Sequence, residues 1–287
     1  MPGNYFIGVW GDWHVYNNAV AYSSINDFKR VVLSRKNYFA VLGGDLTETI
    51  VPFDKRFSFD AHTDKKDGQG VLPDARIQKQ RDFVVELCKP LADADRLLWL
   101  LQGNHEARVM NSYGDITADI VKDLGLPKDC NGGYVCKADM GSFKIYDWHG
   151  NGMPPRGFAG DARQNKTNKE IWLKRRLRKK CADCEVMLMH HIHQVVIHPP
   201  VEELIMVDNG QKLKSFYTKT AKIDLDNGMF YIPEELRWYA SSGTALRSQG
   251  DGWESYAEVY GLDPTDIAYI EIEVRNDKVK SIVKKTL

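Results

Sequence analysis

What this sequence lacks narrows the field first. No apolar run in the 287 residues approaches the ~20 needed to cross a bilayer as a helix. The opening stretch MPGNYFIGVWGD carries no basic segment ahead of an apolar one, so a cytoplasmic protein without membrane attachment is expected. Cysteine is sparse and odd in number, at five, which argues against a disulfide framework. Charge of either sign is not in excess. Lys+Arg and Asp+Glu both total 39, so no global field draws in a polyanion, and any basic surface must be local. Internal repeats, low-complexity tracts and a clear linker are also missing, and one domain over residues 1–287 is expected.

What is present is an ordinary globular composition, 43% hydrophobic and 27% charged. Tyr5 to Trp10 reads as a strand, and about Ser24 to Lys36 as a helix capped by Ser23 or Ser24. Phe39 to Leu42 is a second strand, and the three elements form a βαβ unit. Residues of about 50–74 are polar and read as a loop or lid insertion. Ala75 to Leu91 is a helix, and Leu97 to Leu101 is an apolar run typical of a buried strand. Short helices follow at Glu106–Tyr113 and Asp115–Leu124, then a hairpin across Met140-Gly141. A helix over Asn168–Lys180 leads to a strand at Glu185–Met189. Residues of about 194–235 form a β-rich insertion, with turns at Asn209-Gly210 and Asn227-Gly228. After a strand at Trp238–Ala240, a terminal hairpin turns at Asn276-Asp277.

Five apolar runs each end in metal-binding or proton-carrying side chains. The first gives Asp12 and His14, the second Asp45, the third Asn104 and His105, the fourth His149, and the fifth His191 and His193. Open α/β sheets place ligands at the carboxyl ends of their strands. Carboxylates, imidazoles and an amide oxygen together suit borderline divalent ions. In extended chain, residues i and i+2 share a side, so Asp12 with His14, and His191 with His193, can each clasp an ion. Any one of these histidines alone is better read as a structural residue, as His62 and His198 are. The set is not. Cys181 and Cys184, with Cys130 and Cys136, offer a thinner structural-zinc reading whose spacing fits poorly, and Cys184 reads as the approach to a strand.

The order Gly11-Asp12-x-His14, Gly44-Asp45, Gly103-Asn104-His105-Glu106, His149-Gly150 and His191-x-His193 resembles the calcineurin-like metallophosphoesterases. Viral and bacterial members of unassigned substrate are the most similar. The motifs cover about two thirds of the chain. The resemblance implies a four-layer α/β sandwich, two mixed β-sheets flanked by helices. It also implies one metal held by Asp12, His14, Asp45 and His193. A second would be held by Asp45, Asn104, His149 and His191, with Asp45 bridging and catalytic and His105 as proton donor. The ions would be two divalent cations, manganese first, with iron, zinc, nickel or magnesium as alternatives. Two such cations neutralise the phosphate, generate hydroxide from water and stabilise in-line attack, while an acid protonates the leaving oxygen. The sequence departs from the family pattern twice. His190 stands where Gly is usual, which leaves His190 and His191 as alternatives for one ligand, with alternation favouring His191. Glu48 stands where Asp or Asn is common and can act from behind the ligands.

The expected activity is phosphate-ester hydrolysis, on a nucleic acid or nucleotide diester first. A phosphomonoesterase on a small substrate is the alternative, and a non-catalytic scaffold of the same fold a third reading. Arg108, Arg163 and Lys166 are candidate phosphate contacts because they lie near the metal-bearing loops. The basic run Lys174 to Lys180 could track nucleic acid, but a solvated helix face is the better account given the flanking acids.

Overall fold

Six parallel strands, three in each of two sheets, deliver their carboxyl ends to a common edge. The computed structural model describes residues 3–50, 54, 73–155, 161–218, 223–225, 229–249, 256–259, 261 and 263–287. Most of the expected lid, His62 and the Asn227-Gly228 turn lie outside the described residues.

In the first sheet, β1 (Asn4–Trp10), β2 (Tyr38–Leu42) and β3 (Leu97–Leu100) run parallel. The terminal hairpin of β13 (Ala268–Arg275) and β14 (Lys278–Thr286) adds antiparallel to β1. Its turn residues Asn276 and Asp277 both take positive φ, 50° and 60°, as a tight hairpin turn demands. In the second sheet, β5 (Lys144–Trp148), β6 (Val186–Met189) and β12 (Trp238–Ser241) are parallel. The edge strands β4 (Val135–Asp139) and β7 (Val196–His198) pair antiparallel to β5 and β12.

Both faces of each sheet are covered, which is why its strands read as unbroken apolar runs. Alternate residues of β6 show this directly. Val186 and Leu188 meet Ile7, Val9, Val41 and Ile270 of the first sheet, and Met187 and Met189 pack with Leu173 and Leu177. Those two leucines belong to α5 (Ala162–Leu177), the helix on the outer face of the second sheet. On the outer face of the first sheet lie α1 (Tyr22–Ser34), α2 (Pro73–Asp93), α3 (Asn104–Tyr113) and α4 (Ile116–Asp123). In α1, Ile25, Phe28 and Val32 form the buried stripe against Trp10 and Tyr38. The result is the expected sandwich of helices, sheet, sheet and helix. A short α6 (Tyr256–Val259) precedes the terminal hairpin.

Three local expectations change. The cap of α1 is Ala21, with no side-chain hydrogen bond, so Ser23 and Ser24 lie inside the helix. The helix α5 begins at Ala162, well before Asn168, because the Asp161 carboxylate accepts the amide hydrogens of Arg163 and Gln164. Asn104 and His105 open a helix and do not end a strand. Between β7 and β12 stand two separate hairpins, β8 (Leu204–Asp208) with β9 (Leu213–Tyr217), and β10 (Ile223–Asp224) with β11 (Phe230–Tyr231). Among the described residues no helix is long and apolar enough to cross a membrane.

Candidate metal centre

The loops that leave the parallel strands are tight, and their backbones are unusual. Asp12, His14, Asp45, His191 and His193 all take positive φ, between 48° and 72°. Side chains other than glycine rarely adopt this conformation. It costs on the order of 1–3 kcal/mol per residue and persists only where the surroundings hold it, most often at functional sites. It also corrects the reading of Asp-x-His and His-x-His as extended chain. These pairs converge through curled loops, not through strand alternation.

The curled loops are locked to one another. Loop 12–15 is zipped to loop 44–46 by Asp12 N to Gly44 O, His14 N to Asp45 O and Val15 N to Leu46 O, at 2.8–2.9 Å. The buried Glu106 carboxylate accepts from the amides of Gly103, Asp45 and Thr47 and from the Thr47 hydroxyl, at 2.8–3.1 Å. The first turn of α3 adds the His105 amide, which donates to Asp45 Oδ1 at 2.8 Å. A Cβ at Gly103 would sit 2.1 Å from Asp45, so only glycine lets α3 come this close.

Among the described residues, three groups of ligand atoms result at this edge, each with all members within 4.8 Å of one another. One is Asp12, His14 and His193, a second is Asp45, His149 and His191, and a third, His14, Glu48 and His105, shares His14 with the first. Asp45 Oδ2 is 3.3 Å from His149 Nε2 of its own group and 3.9 Å from His14 Nε2 of the first. Asn104 Oδ1 is 3.2 Å from His149 Nε2. Asp12, Asp45, His14 and His149 are buried. His191 Nδ1 is buried without a hydrogen-bond partner, and Asp12 Oδ1 faces imidazole, with His193 Nε2 at 3.4 Å. Unsatisfied buried ligand atoms in a carboxylate–imidazole–amide set fit divalent cations.

The imidazoles are oriented from behind. His14 Nδ1 is 2.9 Å from Glu48 Oε2, and Asn17 Nδ2 donates to the other Glu48 oxygen. His149 Nδ1 donates to the Gly43 carbonyl at 2.8 Å, which leaves Nε2 facing Asp45 and Asn104. His190 has both ring nitrogens engaged, Nδ1 with Ser242 Oγ at 2.6 Å and Nε2 with Asp147 Oδ1 at 2.9 Å. Trp99 Nε1 donates to the other Asp147 oxygen at 2.7 Å. Between the two alternatives at that position, His191 is therefore the one facing the ligand cluster. The His190 ring instead fills the space at Gly43, where a Cβ would meet it at 2.2 Å.

Electrostatics couple these groups tightly. Burial alone would raise the Asp12 carboxyl, but the hydrogen bond and charge of His193, with His149, hold it at about 2. Burial likewise opposes the negative charge of Asp45, and His149, His105 and His14 hold it well below the usual carboxylate range. Burial would lower His14, yet Glu48 above all, with Asp45 and Asp12, lifts it to about 9. His149 is lifted to about 10 against its own burial, chiefly by Asp45. His191 goes the other way, lowered to about 4 by burial. In the metal-free protein, protons on His14 and His149 thus balance the buried carboxylates.

The structure brings together every expected metal-ligand residue, and His105 with them. Its ring meets that of His14 edge-on at 4.6 Å, and its Nδ1 donates to the Glu48 carbonyl. A cavity of about 340 Å³ opens from this edge. The three expected phosphate contacts fare differently. Arg108 is half-exposed and paired with Asp54 at 2.6 Å. Arg163 and Lys166 are exposed in the early turns of α5, and Lys166 lies 3.9 Å from Glu170. The same helix instead turns Asn165 and Lys169 to the cavity wall, where Arg247 and Gln194 join them.

Sequence reasoning missed Glu106, Asp147 and His190 as supports. Glu106 had a signal, an acid three residues past the glycine that caps a helix. So did Asp147, a carboxylate inside the apolar run Ile145–Trp148. The basic run is largely spent internally. Lys174 pairs with Glu235 and Arg178 with Glu234, and Arg176 and Lys180 lie over the Trp148 ring. Cys181, Asp183 and Cys184 also cluster, but Lys144 and Lys137 hold Asp183 at 2.7 and 3.4 Å, and neither Cys130 nor Cys136 joins them.

No known family profile and no curated protein matches this chain. Among solved structures, a likeness is found to Yfce, described as a phosphoesterase from E. coli. It has 11% identity and a TM-score of 0.37, covering 97% of this chain and 98% of that one. Another is to the Haemophilus influenzae NAD nucleotidase NadN, at 11% identity and TM-score 0.35, covering 99% of this chain and 50% of that one. Superpositions this loose carry no argument about chemistry.

Proposed function

We propose that this chain is a dinuclear-metal hydrolase of phosphate esters. The observation that carries the reading is the buried Asp45 carboxylate, which clusters with His149 and His191, 3.3 Å from His149 Nε2, and reaches to 3.9 Å from His14 Nε2 of the Asp12–His14–His193 cluster. Asp12, His14, Asp45 and His193 would hold one cation. Asp45, Asn104, His149 and His191 would hold the other, with manganese the first metal to test. When bound, two such cations supply charge neutralisation of the phosphate and hydroxide at neutral pH.

The chain's own residues do the rest. Glu48 and the Gly43 carbonyl fix which imidazole nitrogen faces inward. His105 keeps a proton on Nδ1 against the Glu48 carbonyl, so Nε2 is the ring nitrogen left to act: the imidazolium would give its Nε2 proton to the departing oxygen and remain as the neutral Nδ1–H ring. Asn165 and Lys169, four residues apart on one face of α5, would steady the anionic substrate from the cavity wall. The whole chain is read as one domain, with the 194–235 segment an insertion.

On substrate, the cavity supports a compact ester. A volume near 340 Å³ lies within the usual range for small-molecule sites. Pairing of the basic helix with its own neighbours weakens the case for a nucleic-acid strand. A nucleotide-sized diester is the first expectation, and a small monoester the second.

The test is manganese-dependent hydrolysis of bis-p-nitrophenyl phosphate beside p-nitrophenyl phosphate, for the wild type, Asp45→Asn and His105→Ala. The reading expects turnover that collapses in Asp45→Asn, with the preferred ester class read from the ratio. Metal binding with no turnover of any ester would favour the scaffold reading instead.

A further inference from the structure

Among the described residues, the hairpin of β8 and β9 exposes on both strands the kind of apolar run the fold buries in its core. Every residue of both strands is exposed. The register sets Leu204 opposite Tyr217 and Met206 opposite Ser215, so Leu204, Met206, Leu213 and Tyr217 share one face. Ile205, Val207 and Phe216 share the other. Met206 is 70% exposed and Leu213 65%. A two-stranded hairpin with neither face covered is marginal in water, and a contiguous apolar patch of this kind marks an interaction site.

We propose that a second copy of this chain covers the hairpin, forming a twofold dimer in which the two β8–β9 arms pack together. Area is the first argument. With apolar side chains of roughly 150–250 Å² each, the face of Leu204, Met206, Leu213 and Tyr217 offers on the order of 500 Å². Specific interfaces begin at about 600 Å² per partner, so this face supplies most of a small twofold contact and the paired β8 edges add to it.

The edge is the second. Strands in a two-stranded sheet each keep one unpaired side, and soluble proteins usually guard such edges with charge, proline or a bulge. From Leu204 to Val207, β8 has none of these. Antiparallel pairing of β8 with itself about Met206 sets Ile205 opposite Val207 and Leu204 opposite Asp208, and no like charges face each other. A twofold contact must be self-complementary in this way.

Charge is the third argument. Glu202, Glu203 and Asp208 flank β8, against Lys212 and Lys214 near β9. That near-balance suits a like copy better than an anionic bilayer, which calls for a basic rim.

Among the described residues, Glu203 and Thr218 close the base of the arm, and Val201 N to Glu235 O at 2.8 Å ties it to the body. Changes at its tip therefore leave the core and the metal centre untouched. Sedimentation velocity of the full chain at micromolar concentration tests the dimer. The expected mass is twice that of the chain, falling to one chain in the Met206→Asp, Leu213→Asp double variant with hydrolytic activity retained. Met206→Cys should form a disulfide-linked dimer on oxidation. A wild type that stays monomeric, or a dimer that persists in the double variant, overturns the proposal. So does a monomer that floats with lipid vesicles, which would assign the patch to a membrane surface.

Discussion

The two sheets supply different chemistry to the shared edge. Of the proposed metal centre, the first sheet contributes the oxygen donors Asp12, Asp45 and Asn104 together with the His14 imidazole, and the second contributes the imidazoles His149, His191 and His193. The means of support differ as well. First-sheet loops are held by buried carboxylates, Glu106 on the backbone of loop 45–47 and Glu48 on His14. On the second sheet, Asp147, His190 and Ser242 form a relay that Trp99 joins from the first sheet, with the Gly43 carbonyl on His149. Neither sheet alone presents a complete set for one ion. Burying Ile7, Val9, Val41, Val186 and Leu188 between the sheets is therefore also what assembles the site, so folding and metal affinity are linked.

Breaking the comparison at its midpoint has the largest effect. Asp45 sits 3.3 Å from His149 and 3.9 Å from His14, so Asp45→Asn should cut hydrolysis by on the order of a thousandfold or more, measured as kcat/KM. His105→Ala should cost about 10²–10⁴-fold with a poor alkoxide leaving group, and much less with p-nitrophenolate, which departs without a proton. That contrast separates a proton donor from a structural residue.

The supports come next. Glu106→Gln on the first side and Asp147→Asn on the second should each weaken metal affinity or activity by about 10–100-fold, read by metal titration with the fold checked by circular dichroism. Smaller still is Lys169→Ala, which should raise KM severalfold with kcat little changed if the cavity wall only binds substrate. Arg163→Ala, made in parallel, should do nothing.

Acid–base behaviour sharpens the same contrast. His14 and His149 are raised in the folded metal-free protein, from 6.5 to about 9 and about 10. A histidine raised on folding contributes stability that is full below its unfolded pKa and lost as pH rises through its folded one. The melting temperature of the metal-free protein should therefore fall between pH 7 and 10. With metal bound those protons are gone, and that decline should flatten.

The site was legible in the sequence where apolar runs break into Gly-Asp, Gly-Asn-His or His-x-His, because a buried strand and its polar exit are both local signals. The reason those residues converge was not legible. Extended alternation implied that Asp12 and His14 point together, whereas both sit at positive φ in loops held by Glu106 and by hydrogen bonds to loop 44–46. Such conformations depend on partners distant in sequence. Arg163 and Lys166 were misjudged through one cap. Asp161 starts α5 early, and the helical phase then brings Asn165 and Lys169 to the cavity. The run Leu204–Val207 looks like any core strand, and only the tertiary structure shows it to be bare.

The most direct test of the central claim is the manganese stoichiometry of the chelator-stripped protein, by equilibrium dialysis and metal analysis, for wild type and Asp45→Asn together. Two ions per chain for the wild type, with at least one lost or greatly weakened in Asp45→Asn, is the predicted result. One ion or none in the wild type, or two held equally well without the Asp45 carboxylate, would contradict a centre built around that bridge.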